Sequence, residues 1–147
     1  MFVVDTNVLV YAADVRAPEH ARCRALIEKW RTQSGAWYLT WGNCYEFLRV
    51  VTHPRVLRQP WSSQSAREFL AALQQSPGLS MLVPTDRHAA VLADVVSEVP
   101  LIAGNLWHDA ETAVLMREHG IRRICTRDTD FARFPFVEIV DPLTDEP

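Results

Sequence analysis

Four short apolar runs, separated by longer stretches with helical signals, constrain the fold more than any other feature of the sequence. They are Phe2–Val4, Leu79–Val83, Arg123–Cys125 and Val137–Val140. The runs are rich in Val, Ile and Leu without clean alternation, as expected for strands that are covered on both faces. Residues Trp37–Thr40 form either a further strand or the lead into a helix. Strands that alternate with helices predict an α/β fold with a mostly parallel central sheet.

Capping and helix-ending residues predict five helices between these runs. Ser62 and Asp86 suit N-caps, and Gly120 suits the residue that follows a helix end. The expected helices run from near Pro18 to about Trp30, over roughly Trp41–Thr52, from after Ser62 to about Gln75, from Asp86 to near Pro100, and between Asn105 and Gly120.

Length and composition predict one domain over residues 1–147. The chain is 48% apolar and 22% charged, which suits a folded domain with its own core. It contains no apolar run of about eighteen residues, so we expect no membrane-spanning helix. The three cysteines are odd in number and form no CxxC pair, which predicts free thiols and a cytoplasmic protein.

The charge balance leaves nucleic-acid binding open. The net charge of −3 comes from 18 acids and 15 bases, and an acidic total usually counts against such binding. If four of the acids share one cation, the remaining 14 acids face 15 bases and the objection disappears. All but one of the bases are Arg, which favours either bidentate phosphate contacts or simply a GC-rich genome.

Four acidic residues stand where a carboxylate is unusual. Asp5 and Asp128 each follow an apolar run, at the expected carboxyl end of a strand, where open parallel sheets bind ligands. Asp109 lies in the first turn of the fifth expected helix, on its packed side, and Glu46 lies in the middle of the second. Six other glutamates are expected to be solvated, and they are Glu19, Glu28, Glu68, Glu98, Glu118 and Glu146.

Each of the four acids also has a purely structural explanation. Asp5 suits a helix cap and Asp128 suits a turn. A helix N-terminus stabilises the charge of Asp109, and Glu46 is spaced to form an ion pair with Arg49.

Taken together, the four acids predict a cation site. If they converge, their mutual repulsion raises their pKa values, and a hard divalent cation removes the repulsion. Ligands that are all oxygen select Mg²⁺ or Mn²⁺ over Zn²⁺. Between Asp128 and Asp130, we expect Asp130 to be the structural residue that accepts local backbone N–H groups.

These residues resemble the PIN domain and, more narrowly, the VapC-type ribonuclease toxins of bacterial toxin–antitoxin pairs. The resemblance rests on four segments in order: Val4–Leu9 (VDTNVL), the lone Glu46 in a helix, Trp107–Ala110 (WHDA) and Thr126–Phe131 (TRDTDF). It spans nearly the whole chain.

The resemblance implies a three-layer α/β/α sandwich and a metal-dependent endoribonuclease. It implies that Asp5, Asp109 and Asp128 hold Mg²⁺ or Mn²⁺ and that Glu46 is the fourth catalytic acid. The residues that would orient these acids are Thr6, Asn7, Thr126 and Asp130. It also implies an RNA substrate, a homodimer and a small antitoxin as partner.

Two alternatives stay open at this point. One is a PIN nuclease of RNA maturation or decay without an antitoxin, and the other is a non-catalytic module whose acids dock a basic peptide. Because carboxylates repel RNA, cationic side chains must hold its backbone; the candidates are Arg16, Arg49, Arg55 and Arg58. The five tryptophans are expected mostly in the core or at a protein interface.

Overall fold

A parallel five-stranded sheet forms the centre of the protein. The structure, a computed structural model, describes residues 1–145 and residue 147. The strands are β1 (Phe2–Val4), β2 (Trp37–Thr40), β3 (Leu79–Leu82), β4 (Arg123–Cys125) and β5 (Glu138–Val140). They lie in the order β3-β2-β1-β4-β5, and every neighbouring pair is parallel. The predicted parallel sheet is confirmed, and the ambiguous residues 37–40 form a strand.

Helices connect the strands on both sides of the sheet. They are α1 (Thr6–Ala13), α2 (His20–Thr32), α3 (Trp41–Val51), α4 (Ser63–Gln74), α5 (His88–Glu98) and α6 (Leu106–Glu118), followed by a short 3₁₀-helix (Thr129–Arg133). The five predicted helices are present, and α1 is an additional one. None of the described helices is long and apolar enough to cross a bilayer.

Alternate strand residues point into two separate cores. Phe2 and Val4 pack with α1 to α4 on one side, whereas Val3 and Ile124 pack with α5 and α6 on the other. All four side chains are almost completely buried, and burial of such a side chain contributes about 1.5–3 kcal/mol. The protein is therefore the three-layer α/β/α sandwich that the resemblance implied.

Some helix starts differ from the sequence predictions. Helix α5 starts at His88 with Arg87 as its N-cap, and the Thr85 hydroxyl, rather than Asp86, accepts a backbone N–H in the preceding turn. Asn105 precedes α6 as predicted, although its side chain makes no capping hydrogen bond. Gly120 has φ of +67°, which confirms its place after the helix end.

The side chain of Glu118 is covered, although the residue as a whole is only partly buried, so the prediction that it is solvated is wrong. Its side chain has 0% relative exposure. The carboxylate accepts hydrogen bonds from the backbone and hydroxyl of Thr85 and contacts His88. Helical periodicity did place Glu118 away from Asp109, but the loop before α5 covers that face and gives the charge its partners.

Candidate metal centre

The four predicted acids line one pocket at the carboxyl edge of the sheet. Asp5 directly follows β1 and Asp128 follows β4, so neighbouring parallel strands deliver both to the same edge. Asp109 comes from the first turn of α6, and Glu46 comes from the middle of α3. The pocket has a volume of about 610 Å³. The site is thus assembled from segments far apart in the chain.

The Asp5 carboxylate is held by three short hydrogen bonds. Its Oδ1 accepts the Thr6 backbone N–H at 2.7 Å, which makes Asp5 the N-cap of α1. Its Oδ2 accepts from the Asn7 amide at 2.7 Å and from the Thr126 hydroxyl at 2.6 Å. The side chain therefore caps α1, as the structural explanation expected, and also lines the pocket.

Thr126 connects the two strand-end aspartates. While its hydroxyl donates to Asp5, its oxygen accepts from the Asn7 amide at 2.8 Å and from the Asp128 backbone N–H at 2.9 Å. The residue is fully buried. Asn7 and Thr126 therefore hold the Asp5 carboxylate in place. Thr6 contributes its backbone N–H, and its hydroxyl lies 3.3 Å from the Asn43 amide.

Asn43 is a site residue that sequence reasoning missed. It forms a capping box with Thr40 at the start of α3, where its Oδ1 accepts from the Thr40 backbone and hydroxyl. Its amide group points the other way, 3.5 Å from Asp5 Oδ1 and 3.3 Å from the Thr6 hydroxyl. The available signal was the Thr-x-x-Asn spacing of residues 40–43, which is typical of a helix start. Asn43 fixes α3, and with it Glu46, relative to Asp5.

Three carboxylates lie closest together within the pocket. One oxygen each from Asp109, Asp128 and Asp130 lies within 4.8 Å of the other two. The expectation that Asp130 accepts the local backbone N–H is wrong, because Asp128 Oδ1 accepts the Asp130 N–H at 2.8 Å and caps the 3₁₀-helix. The turn leaves Asp130 exposed at the pocket, beside Asp109.

Burial and mutual repulsion raise the pKa values of two of the acids. Asp5 is only 7% exposed, and burial raises its pKa from the ordinary 3.8 to about 6, although the Thr126 and Thr6 hydrogen bonds oppose the change. Burial, followed by the charges of Asp128 and Asp5, raises the pKa of Asp109 to about 7. The pocket is a place where negative charge accumulates without enough positive charge to balance it.

Glu46 lies at the mouth of the pocket and is paired with the only arginine of the lining. Arg49 donates to its Oε1 at 3.1 Å. The ion pair expected from the sequence is thus present, and it does not remove Glu46 from the pocket. The other candidate arginines, Arg16, Arg55 and Arg58, are exposed in loops and do not line the pocket.

The residues present fit a hard divalent cation. Asp5, Asp109, Asp128 and Asp130 offer only oxygen atoms, and the site holds no cysteine and one exposed histidine, His108. Oxygen ligands of this kind suit Mg²⁺ or Mn²⁺. A bound cation would also relieve the repulsion that raises the pKa of Asp109.

Comparisons with known proteins identify the family that the chain resembles. Residues 2–137 match the PIN domain family. Ribonuclease VapC48 of Mycobacterium tuberculosis is 34% identical over 140 residues, covering 95% of this chain and 96% of that protein.

Solved structures with the same fold include two with a TM-score of 0.62. One is VapC20 of Mycobacterium tuberculosis, described as a Sarcin-Ricin loop cleaving toxin (18% identity, 90% of this chain and 93% of that one). The other is VapBC2 from Rickettsia felis, described as bound to a DNA fragment from the promoter of that pair. It is 16% identical, and the match covers 95% of this chain and 96% of that one.

Proposed function

The chain belongs to the PIN-domain family, among the VapC ribonucleases, and on this basis we propose that it is an endoribonuclease toxin that uses Mg²⁺ or Mn²⁺. The observation that carries the proposal is the convergence of Asp5, Asp109 and Asp128 in one pocket with Glu46 at its mouth. The raised pKa values of Asp5 and Asp109 support a cation there. A docking module for basic peptides would not require carboxylates to be buried at this cost.

We assign the three aspartates to cation binding, with Asp130 near enough to assist. A divalent cation, when bound, supplies Lewis-acid polarisation of the scissile phosphate. Thr126 and Asn7 keep the Asp5 carboxylate in one orientation through their hydrogen bonds. Such positioning matters because small displacements of a catalytic group are costly in rate.

We assign to the Glu46 carboxylate, which lines the pocket, the role of receiving the proton of the attacking water. Arg49 holds Oε1 of this carboxylate at 3.1 Å. Arg49 is 65% exposed, and we propose that the same guanidinium also contacts an RNA phosphate at the rim. Arg16, Arg55 and Arg58 stay candidates for contacts with more distant phosphates.

The partners form part of the proposal. The similarity to a protein described as a toxin and to VapBC2 supports a small cognate antitoxin that neutralises this chain, and we propose a homodimer as the active form. The three cysteines are free and buried, which supports a cytoplasmic site of action.

Cleavage of a structured RNA in Mg²⁺ or Mn²⁺, with and without EDTA, tests the proposed function. We expect cleavage that EDTA abolishes, and a loss of at least a hundredfold in Asp109→Asn, because each 1.4 kcal/mol of lost barrier stabilisation is tenfold in rate. Asp109 is suitable because, within residues 1–145, no group hydrogen-bonds to its carboxylate, so the variant should fold. The matched control is Asp94→Asn, on the exposed face of α5.

Two results would contradict the proposal. Equal cleavage by Asp109→Asn and wild type would show that the site is misassigned. Normal growth when the chain is expressed strongly without a partner would favour a nuclease of RNA maturation over a toxin.

A further inference from the structure

The acidic pocket continues beyond its carboxylates, between the facing sides of α1 and α3. Two groups of three residues line this part of the pocket, namely Asn7, Val10 and Tyr11 on α1 and Glu46, Arg49 and Val50 on α3. In each group the second and third residues follow the first by three and four positions, so each group lies on one helical face. We call the part lined by Val10, Tyr11 and Val50 the far end of the pocket. Because Asp5 caps α1, Val10 and Tyr11 lie one turn further from it than Asn7 does.

Tyr11 brings a hydroxyl group without a partner to this far end. Its ring is partly buried and packs against the core formed by α1 to α4. The backbone oxygen of Tyr11 lies 3.0 Å from Nδ1 of His20, at the start of α2. Among residues 1–145 and residue 147, no group hydrogen-bonds to the phenol oxygen. The residue is therefore held in place by its ring and backbone, while its hydroxyl stays available to a ligand.

The charges around the phenol favour a neutral ligand group over a phosphate. Asp5 and Glu19 bring negative charge near it, and Arg127 brings positive charge. Arg127 already pairs with Glu19 at 2.7 Å and lies 3.6 Å from Asp141, so its charge is balanced within the protein. Burial, followed by the charge of Glu19, raises the pKa of Tyr11 above its ordinary 10.0. The phenol therefore stays a neutral hydroxyl, which both donates and accepts hydrogen bonds.

A ribose has the properties that the far end requires. It carries no charge, and its ring carbons can pack against the apolar side chains of Val10 and Val50. Its 2′-hydroxyl donates and accepts hydrogen bonds, as the phenol of Tyr11 does. In a nucleic acid, the sugar is also the group directly attached to each phosphate. A phosphate held at the carboxylates therefore has a sugar within reach of the next turn of α1.

We propose that Tyr11 recognises the ribose of a nucleotide next to the cleaved phosphate, through a hydrogen bond between its hydroxyl and the 2′-hydroxyl group. This inference rests on the proposed function, because it takes RNA as the substrate of this pocket. The contact makes Tyr11 a specificity-determining residue, since the 2′-hydroxyl is the group by which a protein distinguishes RNA from DNA. The aspartates cannot make this distinction, because the phosphate that they act on is common to both nucleic acids.

The binding test compares two fluorescein-labelled probes in EDTA, where no cation supports cleavage. One is a short single-stranded RNA of mixed sequence, and the other is DNA of the same sequence with deoxyuridine in place of uridine, so that they differ only at the 2′ position. The parent protein carries Asp109→Asn, which removes one of the carboxylates that repel both probes. By fluorescence anisotropy, the parent should bind the RNA about fivefold more tightly than the DNA, in the range of one neutral hydrogen bond.

Tyr11→Phe in this parent keeps the ring and removes only the hydroxyl. Its affinity for the RNA should fall to its affinity for the DNA, and its affinity for the DNA should equal that of the parent. Its Tm should also equal that of the parent, because the hydroxyl has no hydrogen-bond partner in the part of the chain that the structure describes. Tyr38→Phe is the matched control, since the Tyr38 hydroxyl lies 3.6 Å from Sδ of Met1 and outside the pocket. This control should keep the preference for RNA.

Four results would overturn the proposal. The first is a parent that binds both probes equally, and the second is a Tyr11→Phe variant that keeps the preference for RNA. An equal loss of affinity for both probes would place Tyr11 against a phosphate or a base instead of the ribose. A clear fall in the Tm of Tyr11→Phe would assign the hydroxyl to the fold instead of to a ligand.

Binding in EDTA separates the failure of this inference from failure of the proposed function. A chain that prefers RNA through Tyr11 yet never cleaves RNA in Mn²⁺ would refute the nuclease and leave the ribose contact standing. A chain that cleaves RNA in Mn²⁺, and whose Tyr11→Phe variant has the KM and kcat of wild type, would refute the ribose contact and leave the nuclease standing.

Discussion

Replacement of Asp109 by Asn should make the metal-free protein more stable while it abolishes activity. The carboxylate is half-buried, and burial and the charges of Asp128 and Asp5 raise its pKa from 3.8 to about 7. Because the folded-state pKa lies above the unfolded one, the charged carboxylate opposes folding. This opposition is absent below about pH 4, grows as the pH rises, and is complete above about pH 7. The isosteric amide removes it.

The magnitude follows from the same pKa values. For a fully buried group, the difference between 3.8 and about 7 would correspond to roughly 4 kcal/mol, at 1.36 kcal/mol per pH unit. Asp109 is partly exposed, and water screens the repulsion, so we expect about 1–2 kcal/mol. For a domain of this size, that gain raises Tm by about 2–8 °C.

Thermal melts followed by circular dichroism provide the assay. In EDTA, Asp109→Asn should melt above wild type at pH 8 and close to it at pH 4, whereas Asp94→Asn should track wild type at both. Addition of Mn²⁺ at pH 8 should raise the Tm of wild type more than that of Asp109→Asn, since a ligand stabilises the state that binds it. A variant less stable than wild type at pH 8, or one with the same gain at both pH values, would refute the electrostatic explanation.

Three further changes test other parts of the structure. Thr126→Val removes the 2.6 Å hydrogen bond to Asp5, so kcat should fall about tenfold or more with little change in KM, and the free energy of unfolding should fall by about 1–3 kcal/mol. Glu118→Gln should leave cleavage unchanged but lower Tm at pH 7. The pKa of the Glu118 carboxyl is held below 4.5 in the folded protein. The difference in Tm between wild type and Glu118→Gln should therefore disappear as the pH falls below this value. Gly78→Ala should strongly lower the free energy of unfolding in a urea titration, because its Cβ would lie 2.2 Å from the backbone oxygen of Gly35. Unchanged stability would show that the loops around Gly35 and Gly78 do not pack so closely.

The sheet was predictable because its strands carry their pattern locally. Phe2–Val4 is apolar and buried throughout, and in Arg123–Cys125 the last two residues are. Consecutive apolar residues point to both faces of a strand, and this pattern indicates a covered parallel sheet. Asp109 was found by helical phase, since the side chain shares a face with packed neighbours. These inferences needed only the spacing of residues.

The missed features depend on contacts between segments distant in sequence. Asn43 matters because its amide reaches Asp5, 38 positions away, and the sequence around Asn43 signals only a helix start. Glu118 is covered by a loop 33 positions earlier. The roles of Asp128 and Asp130 were exchanged because either aspartate could accept a turn N–H, and the direction of the chain after β4 decides between them.

The place of β1 at the centre of the sheet has a consequence for synthesis. Strand β1 pairs with β2 on one side and with β4 on the other, and Asp5 meets Thr126 across 121 positions. A growing polypeptide that already displays Asp5 and Glu46 therefore has no complete pocket until residues 123–128 have been made. The ribosome that translates this ribonuclease is thus not exposed to a complete site before residue 128 has been made.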